Sequence, residues 1–246
     1  MMSTNPDQIT ASDSEAIRAK IVGENYVEIR RNNPGIAWEE EVHALNWFNT
    51  RSMAVYNFYN LIAGRSVKRV GGKPLFKGRL TKSLLGDKKD SRDVLLIVRY
   101  PSANHFRSML ENTYFKIVSL LRTVSVSDFT FCLSKKTSAK ELVPESIDSR
   151  RYLVHHFRGD QQAIVRAREA VDGTQVALVF SSLKSHGIAS VSKDQSVTPI
   201  PDLMDGVLVF CSSDVESLEQ FFLSDSYRAV IQSTDSSFLG LLRRLI

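Results

Sequence analysis

Two 22-residue stretches of this chain, 93–114 (DVLLIVRYPSANHFRSMLENTY) and 206–227 (GVLVFCSSDVESLEQFFLSDSY), lie on each other without a gap, strand pattern on strand pattern and helix pattern on helix pattern. The overlay pairs Val94 with Val207, Leu95 with Leu208, Leu110 with Leu223 and Tyr114 with Tyr227. What the stretches share beyond this is apolar placement. A chain of 246 residues organised this way reads as two copies of one small unit, which limits the fold far more than it limits the function.

The periodicities predict the elements of that unit. Residues 41–49 read as a strand, and the following segment reads as a helix with Val55, Phe58, Ile62 and Val67 on its apolar face. Gly71 and Gly72 stop it. Residues 75–80 form a second strand and 80–93 a polar hairpin connection. Residues 94–100 form a third strand, apolar enough to be buried on both faces. Ser102 caps one long helix striped by Phe106, Met109, Leu110, Tyr114, Ile117, Leu121 and Val124, and residues 128–133 are the fourth strand. The order β-α-β-β-α-β is the ferredoxin-like split unit. The second half begins with a strand at 152–158 and a helix at 161–171, after which 176–183 reads equally as a strand or as the rest of a broken helix. Residues 187–192 resemble the second strand and 206–211 the third. Ser213 and Glu216 then have capping-box spacing before a helix carrying Leu218, Phe222, Tyr227 and Val230, and 238–245 close the unit.

The expected organisation is a polar extension at 1–40, with a short helix near 16–22, a first unit at 41–135, a linker at 136–150 and a second, degenerate unit at 151–246. A four-stranded sheet covered by helices on one face leaves its other face bare, yet these strands are apolar on both faces. A second sheet must cover the first, so the fold class expected is α+β with two tandem ferredoxin-like units, their sheets facing in one chain. Pairing with another chain is the alternative and keeps a homo-oligomer open.

Charge is uneven: residues 1–40 sum to −3, residues 41–150 to +10 and residues 151–246 to −2. The cluster Lys68, Arg69, Lys73, Lys77, Arg79, Lys82, Lys88 and Lys89 attracts anions if it is not simply a solvated loop. No apolar run approaches the ~20 residues of a membrane span, and the start has no basic-then-apolar leader pattern. Cys132 and Cys211 sit in apolar strands as small hydrophobes. A cytoplasmic protein without a membrane partner is the expectation.

The strand ALNWF (44–48), the helix with Tyr56 and Tyr59, VGGKPLFKGRL (70–80), VRYPSANHFRSML with Tyr114, and Arg122 together resemble domain-of-unknown-function family 1330 of the dimeric α/β-barrel superfamily, over about residues 42–133. The second copy departs from that pattern. It has His186-Gly187 in place of Gly71-Gly72, no Tyr-Pro-Ser, and Thr234 near the place of Arg122. The resemblance implies an intramolecular dimeric α/β-barrel with one working cavity or none. It does not choose between cofactor-independent monooxygenases, haem-degrading enzymes, small-molecule isomerases and plain ligand binders.

Strand parity puts Lys77 and Arg79 on one face of the second strand, where they either hold a carboxylate or enolate or sit in water at a sheet edge. Arg99 ends an apolar strand and must bind an anion, pair with an acid or reach solvent. Tyr100, Trp47 and Asn46 complete the candidate ligand-binding set, with His43 as candidate proton acceptor; His43 and Trp47 share one strand face and Asn46 the other. His155 and His156 point to opposite faces, which argues against a shared metal site. No nucleophile elbow, P-loop, HExxH, CxxC or dinucleotide fingerprint is present, and the strands lack the basic-aromatic alternation of an RNA-binding sheet. No cofactor or metal is therefore assigned and nucleic acid is not an expected partner. The expected function is recognition of a small anionic or polar organic molecule in a barrel cavity of the first unit, the alternatives being a cofactor-independent enzyme of the monooxygenase or isomerase type and a non-catalytic binding or assembly protein.

Overall fold

The computed structural model describes residues 38–86, 92–137, 151–191 and 205–245. The short helix expected near 16–22 and most of the linker lie outside the described residues. The first half runs β1 (Val42–Thr50), α1 (Met53–Arg69), β2 (Lys73–Leu85), β3 (Val94–Tyr100), α2 (Ala103–Glu111), α3 (Thr113–Ser125) and β4 (Val126–Lys136). The second half runs β5 (Arg151–Arg158), α4 (Gln161–Ala170), β6 (Ala177–Val191), β7 (Gly206–Ser212), α5 (Val215–Leu223), α6 (Asp225–Gln232) and β8 (Ser236–Arg244).

All eight strands close into one antiparallel barrel in the order β1-β3-β2-β8-β5-β7-β6-β4. The seams between the halves are β2 with β8 and β4 with β6, so closure occurs within the chain and removes the sheet edges. Apolar side chains point both ways from the strands. Leu45, Leu95, Ile97, Phe76, Val154, Phe180, Val209 and Phe238 fill the interior. Phe48, Val94, Val98 and Phe131 meet the helices of the first half, while Leu153, Phe157, Leu208 and Phe210 meet those of the second.

Several sequence expectations change. The 176–183 segment is strand, continuous with the following residues in β6, and β2 runs on to Leu85, well into the stretch read as a connection. The long helix of each half is two. Asn112 and Ser224 have extended backbone, each ends one helix, and each accepts the first bond of the next, from the Phe115 and Tyr227 amides. The break resets the helical phase. Phe115 and Val118 are buried, whereas Tyr114, Ile117 and Val124, read as core, are exposed. Likewise α1 buries Tyr56, Tyr59, Ala63 and Ser66 and exposes Phe58. The cap of α5 is Asp214 rather than Ser213.

The gapless overlay is also one residue out of register. It pairs Val94, which meets the helices, with Val207, which points into the barrel. A one-residue shift instead pairs Ser102 with Asp214, Asn112 with Ser224, Phe106 with Leu218, Met109 with Phe221 and Phe115 with Tyr227, all like with like. Because side chains alternate along a strand, a slip of one residue exchanges its faces. In the corrected register the barrel interior is pairwise symmetric. Trp47 and His156 hold the same place in β1 and β5, opposite Leu95 and Val207 respectively, and their rings meet at 4.8 Å. His43 meets Phe180 at 5.4 Å and Tyr152 meets Phe76 at 4.9 Å, the same contact made from each half.

Candidate functional site

Among the described residues the barrel interior, where the sequence placed the cavity, is packed with side chains. A cavity of about 450 Å³ lies instead on the opposite face of the first sheet, between β1, β2 and β3 and the helices α1, α2 and α3. That is within the size range of small-molecule sites. Its walls are mainly apolar, with Phe48, Phe106, Phe115 and Phe131 among them, and its mouth lies where Asn57, Leu61 and Pro74 are exposed.

Polar groups reach it from several elements. Ser52 starts α1 by accepting from the Val55 amide, which sets the phase that turns Tyr56 and Tyr59, one helical turn apart, toward the sheet. Arg122, on α3, hydrogen-bonds the Tyr59 hydroxyl. Tyr100 ends β3, and its hydroxyl donates to Met109 Sδ at 3.5 Å. The turn after α1 is cut to fit this ring. Gly71 takes φ 73°, and a Cβ on Gly72 would lie 2.8 Å from Tyr100 Cε1 and 2.7 Å from Val67 Cγ1. The Gly-Gly and Tyr-Pro motifs are therefore two sides of one contact, since a Cβ on Gly71 would meet Pro101. Lys77, buried on β2, donates from Nζ to Asn57 Oδ1 at 3.0 Å and lies 4.7 Å from the centre of the Tyr56 ring.

Burial raises the phenol pKa of Tyr56, Tyr59 and Tyr100, the nearby Arg122 cation opposing the rise only partly. These hydroxyls are protonated donors at neutral pH. Burial lowers the Lys77 ammonium pKa. Among the described residues no carboxylate lines the cavity, while Lys77 and Arg122 both do, so its electrostatics favour an anion.

Of the residues singled out in the sequence, the structure brings Asn46, Lys77 and Tyr100 together at this cavity. The others are elsewhere. His43 and Trp47 point into the barrel and are almost fully buried. Arg99 lies on that same side of β3, at the barrel end, and donates to Glu41, just before β1, at 2.6 Å. Arg79 is exposed. Tyr56, Tyr59 and Arg122 were missing from the candidate set. The signal available was their place in the family resemblance, which scattered them over 67 positions of sequence without showing that they meet.

The second half packs the same place differently. Its corresponding layer is filled by Phe157, Phe210, Phe221 and Tyr227. Opposite Leu208, where the first half has Asn46 opposite Leu96, stands His155, bonded to Tyr227 Oη and Ser237 Oγ, both at 2.8 Å. One ring nitrogen donates and the other accepts.

No family model matches the sequence, including that of the family 1330 it resembles, and no curated protein matches it. Solved structures do. A candidate monooxygenase from Fusobacterium nucleatum aligns over 85% of this chain and 94% of its own at 11% identity, with a TM-score of 0.53. A protein of unknown function from Rhodopseudomonas palustris aligns over 47% of this chain and 93% of its own at 23% identity, with a TM-score of 0.42. A chlorite dismutase variant from Candidatus Nitrospira defluvii aligns over 86% and 95% at 11% identity, with a TM-score of 0.46. The Fusobacterium protein is a dimeric α/β-barrel protein, and at 11% identity the likeness carries the fold alone.

Proposed function

We propose that the chain is a tandem pair of ferredoxin-like units, 41–135 and 151–246, in which the first unit binds a small, largely apolar organic anion and the second closes the barrel. The observation that carries this reading is the composition of the cavity wall, where Lys77 and Arg122 stand beside three buried phenols and four phenylalanines, with no carboxylate among the described residues. An anionic oxygen placed between Arg122 and Lys77 gains charge-assisted hydrogen bonds, and the aromatic walls take the apolar body. The phenols, kept protonated by burial, serve as donors that orient the anion.

The test uses two fluorescent probes sharing one aromatic skeleton, 1-anilinonaphthalene-8-sulfonate and the uncharged N-phenyl-1-naphthylamine. Saturable one-to-one binding of the sulfonate is expected, with a loss of roughly 10- to 100-fold in Arg122→Met or Lys77→Met, the range of one hydrogen bond to a charged group. The uncharged probe should change by less than about threefold in the same variants. Equal losses for both probes, or no saturable binding, would overturn the reading.

The desolvated amine of Lys77 favours a second reading, cofactor-independent proton abstraction or oxygenation, with Lys77 rather than His43 as the base because His43 does not border the cavity. In that case a bound ligand incubated in air is recovered chemically changed, and Lys77→Met returns it intact. Recovery unchanged from the wild-type protein would leave the binding reading alone.

A further inference from the structure

The helix layer over the cavity has an outer face whose chemistry the pocket does not explain. α1 and α3 pack side by side, and they expose Phe58 and Leu61 on α1 and Tyr114, Ile117, Leu120 and Val124 on α3. These are large exposures: Leu61 is 72% exposed, Leu120 65% and Ile117 63%. Large apolar side chains exposed together on two packed helices are the mark of an interaction site.

The charge around it indicates what is met there. Neither helix contains an acidic residue, while Arg65, Lys68 and Arg69 on α1 and Lys116 on α3 are exposed. The helices of the second half are different, carrying Glu169, Glu216, Glu219 and Asp225. A two-fold contact between copies through this face would set its cations against each other with no acid on either helix to receive them. An anionic lipid surface satisfies both features, since aromatic and aliphatic side chains enter the headgroup boundary while lysine and arginine meet the charged headgroups.

We infer that the outer face of α1 and α3 docks onto an anionic lipid surface, with the cavity mouth at Leu61 opening toward the lipid. Among the described residues no helix is long and apolar enough to cross a membrane, so this is docking and not insertion across it. The expectation of no membrane partner rests on the absence of a spanning run and of a leader pattern, neither of which bears on surface docking; the exposed stripe of α3 follows from the helix break at Asn112. The inference stands on the exposed residues and holds whatever the cavity binds.

The test is flotation of the full chain with vesicles of phosphatidylcholine alone or with one-third phosphatidylglycerol, at low and at physiological salt. Binding to the anionic vesicles is expected to exceed binding to the neutral ones by about tenfold or more and to weaken as salt rises. Ile117→Glu with Leu120→Glu should lower it at least about tenfold, and the milder Ile117→Ser with Leu120→Ser by less. Neither residue lines the cavity, so melting temperature and probe binding should be kept. Absence of flotation with anionic vesicles, or flotation unchanged in both double variants, would overturn the inference. A dimer seen by sedimentation velocity and broken by the glutamate pair, without vesicle binding, would assign the face to a second copy instead. Vesicle binding together with failed probe titration would remove only the cavity reading.

Discussion

Acid should unfold this protein through two histidines that the candidate site does not use. His155 and His156 are buried on opposite faces of β5, and burial pushes both pKa values down to about 3, with the neighbouring His155 charge adding to the effect on His156. In the unfolded chain each titrates near ~6.5. Between those values the unfolded state binds protons that the native state refuses, so stability falls as pH falls from 6.5 toward 3. From about pH 7.5 to 5 the linkage integral is about 2 kcal/mol for each histidine and about 4 kcal/mol for the pair. At a urea dependence of ~3 kcal/mol/M this moves the unfolding midpoint down by more than ~1 M. The assay is urea unfolding at constant ionic strength across that range, for the wild type and for His156→Leu. In this structure His156 Nε2 has no hydrogen-bond partner among the described residues, so its replacement removes a titrating group at little cost in bonding. The variant should lose about half of the pH dependence attributed to the pair. An identical drop in midpoint in the two proteins would refute the reasoning, whatever other groups titrate.

Tyr227→Phe removes the hydroxyl held by His155 Nδ1 at 2.8 Å and should destabilise by about 1–3 kcal/mol. Calorimetry should read a fall of about 2–4 °C for each kcal/mol, and a shift below about 1 °C would show that this bond contributes little. Gly72→Ala places a Cβ 2.9 Å from the Val67 carbonyl oxygen and 2.8 Å from the Tyr100 ring. Overpacking of about 1–3 kcal/mol is expected, and because Tyr100 lines the cavity, weaker binding of both fluorescent probes should accompany the lower melting temperature.

The strands were legible because alternation and apolar runs are local properties. The limits of β3 come out as read, and the two-sided apolarity of β1, β3 and β7 already demanded a second layer of sheet. Burial of Cys132 and Cys211 and the opposite facing of His155 and His156 followed from the same pattern. Helix faces were less legible. Tyr56 and Tyr59 look polar beside Val55 and Phe58, and only their packing beneath Arg122 and against the sheet makes them the buried side.

Which side of the sheet holds open space was decided by tertiary structure alone. The sequence by itself determined that the sheet needs cover on both faces, because the strands present apolar residues to both. It did not determine which cover packs tightly. In the barrel interior the two halves supply facing side chains such as Trp47 and His156 that fill the volume between them. Over the first sheet, β1, β2, β3 and the three helices leave a gap that their own side chains do not close, whereas Phe210, Phe221 and Tyr227 close it over the second. Free volume is the difference between the size of many side chains and the spacing of the elements that carry them. That spacing is set by helix breaks and strand registers acting over the whole chain, and no local stretch of sequence contains it.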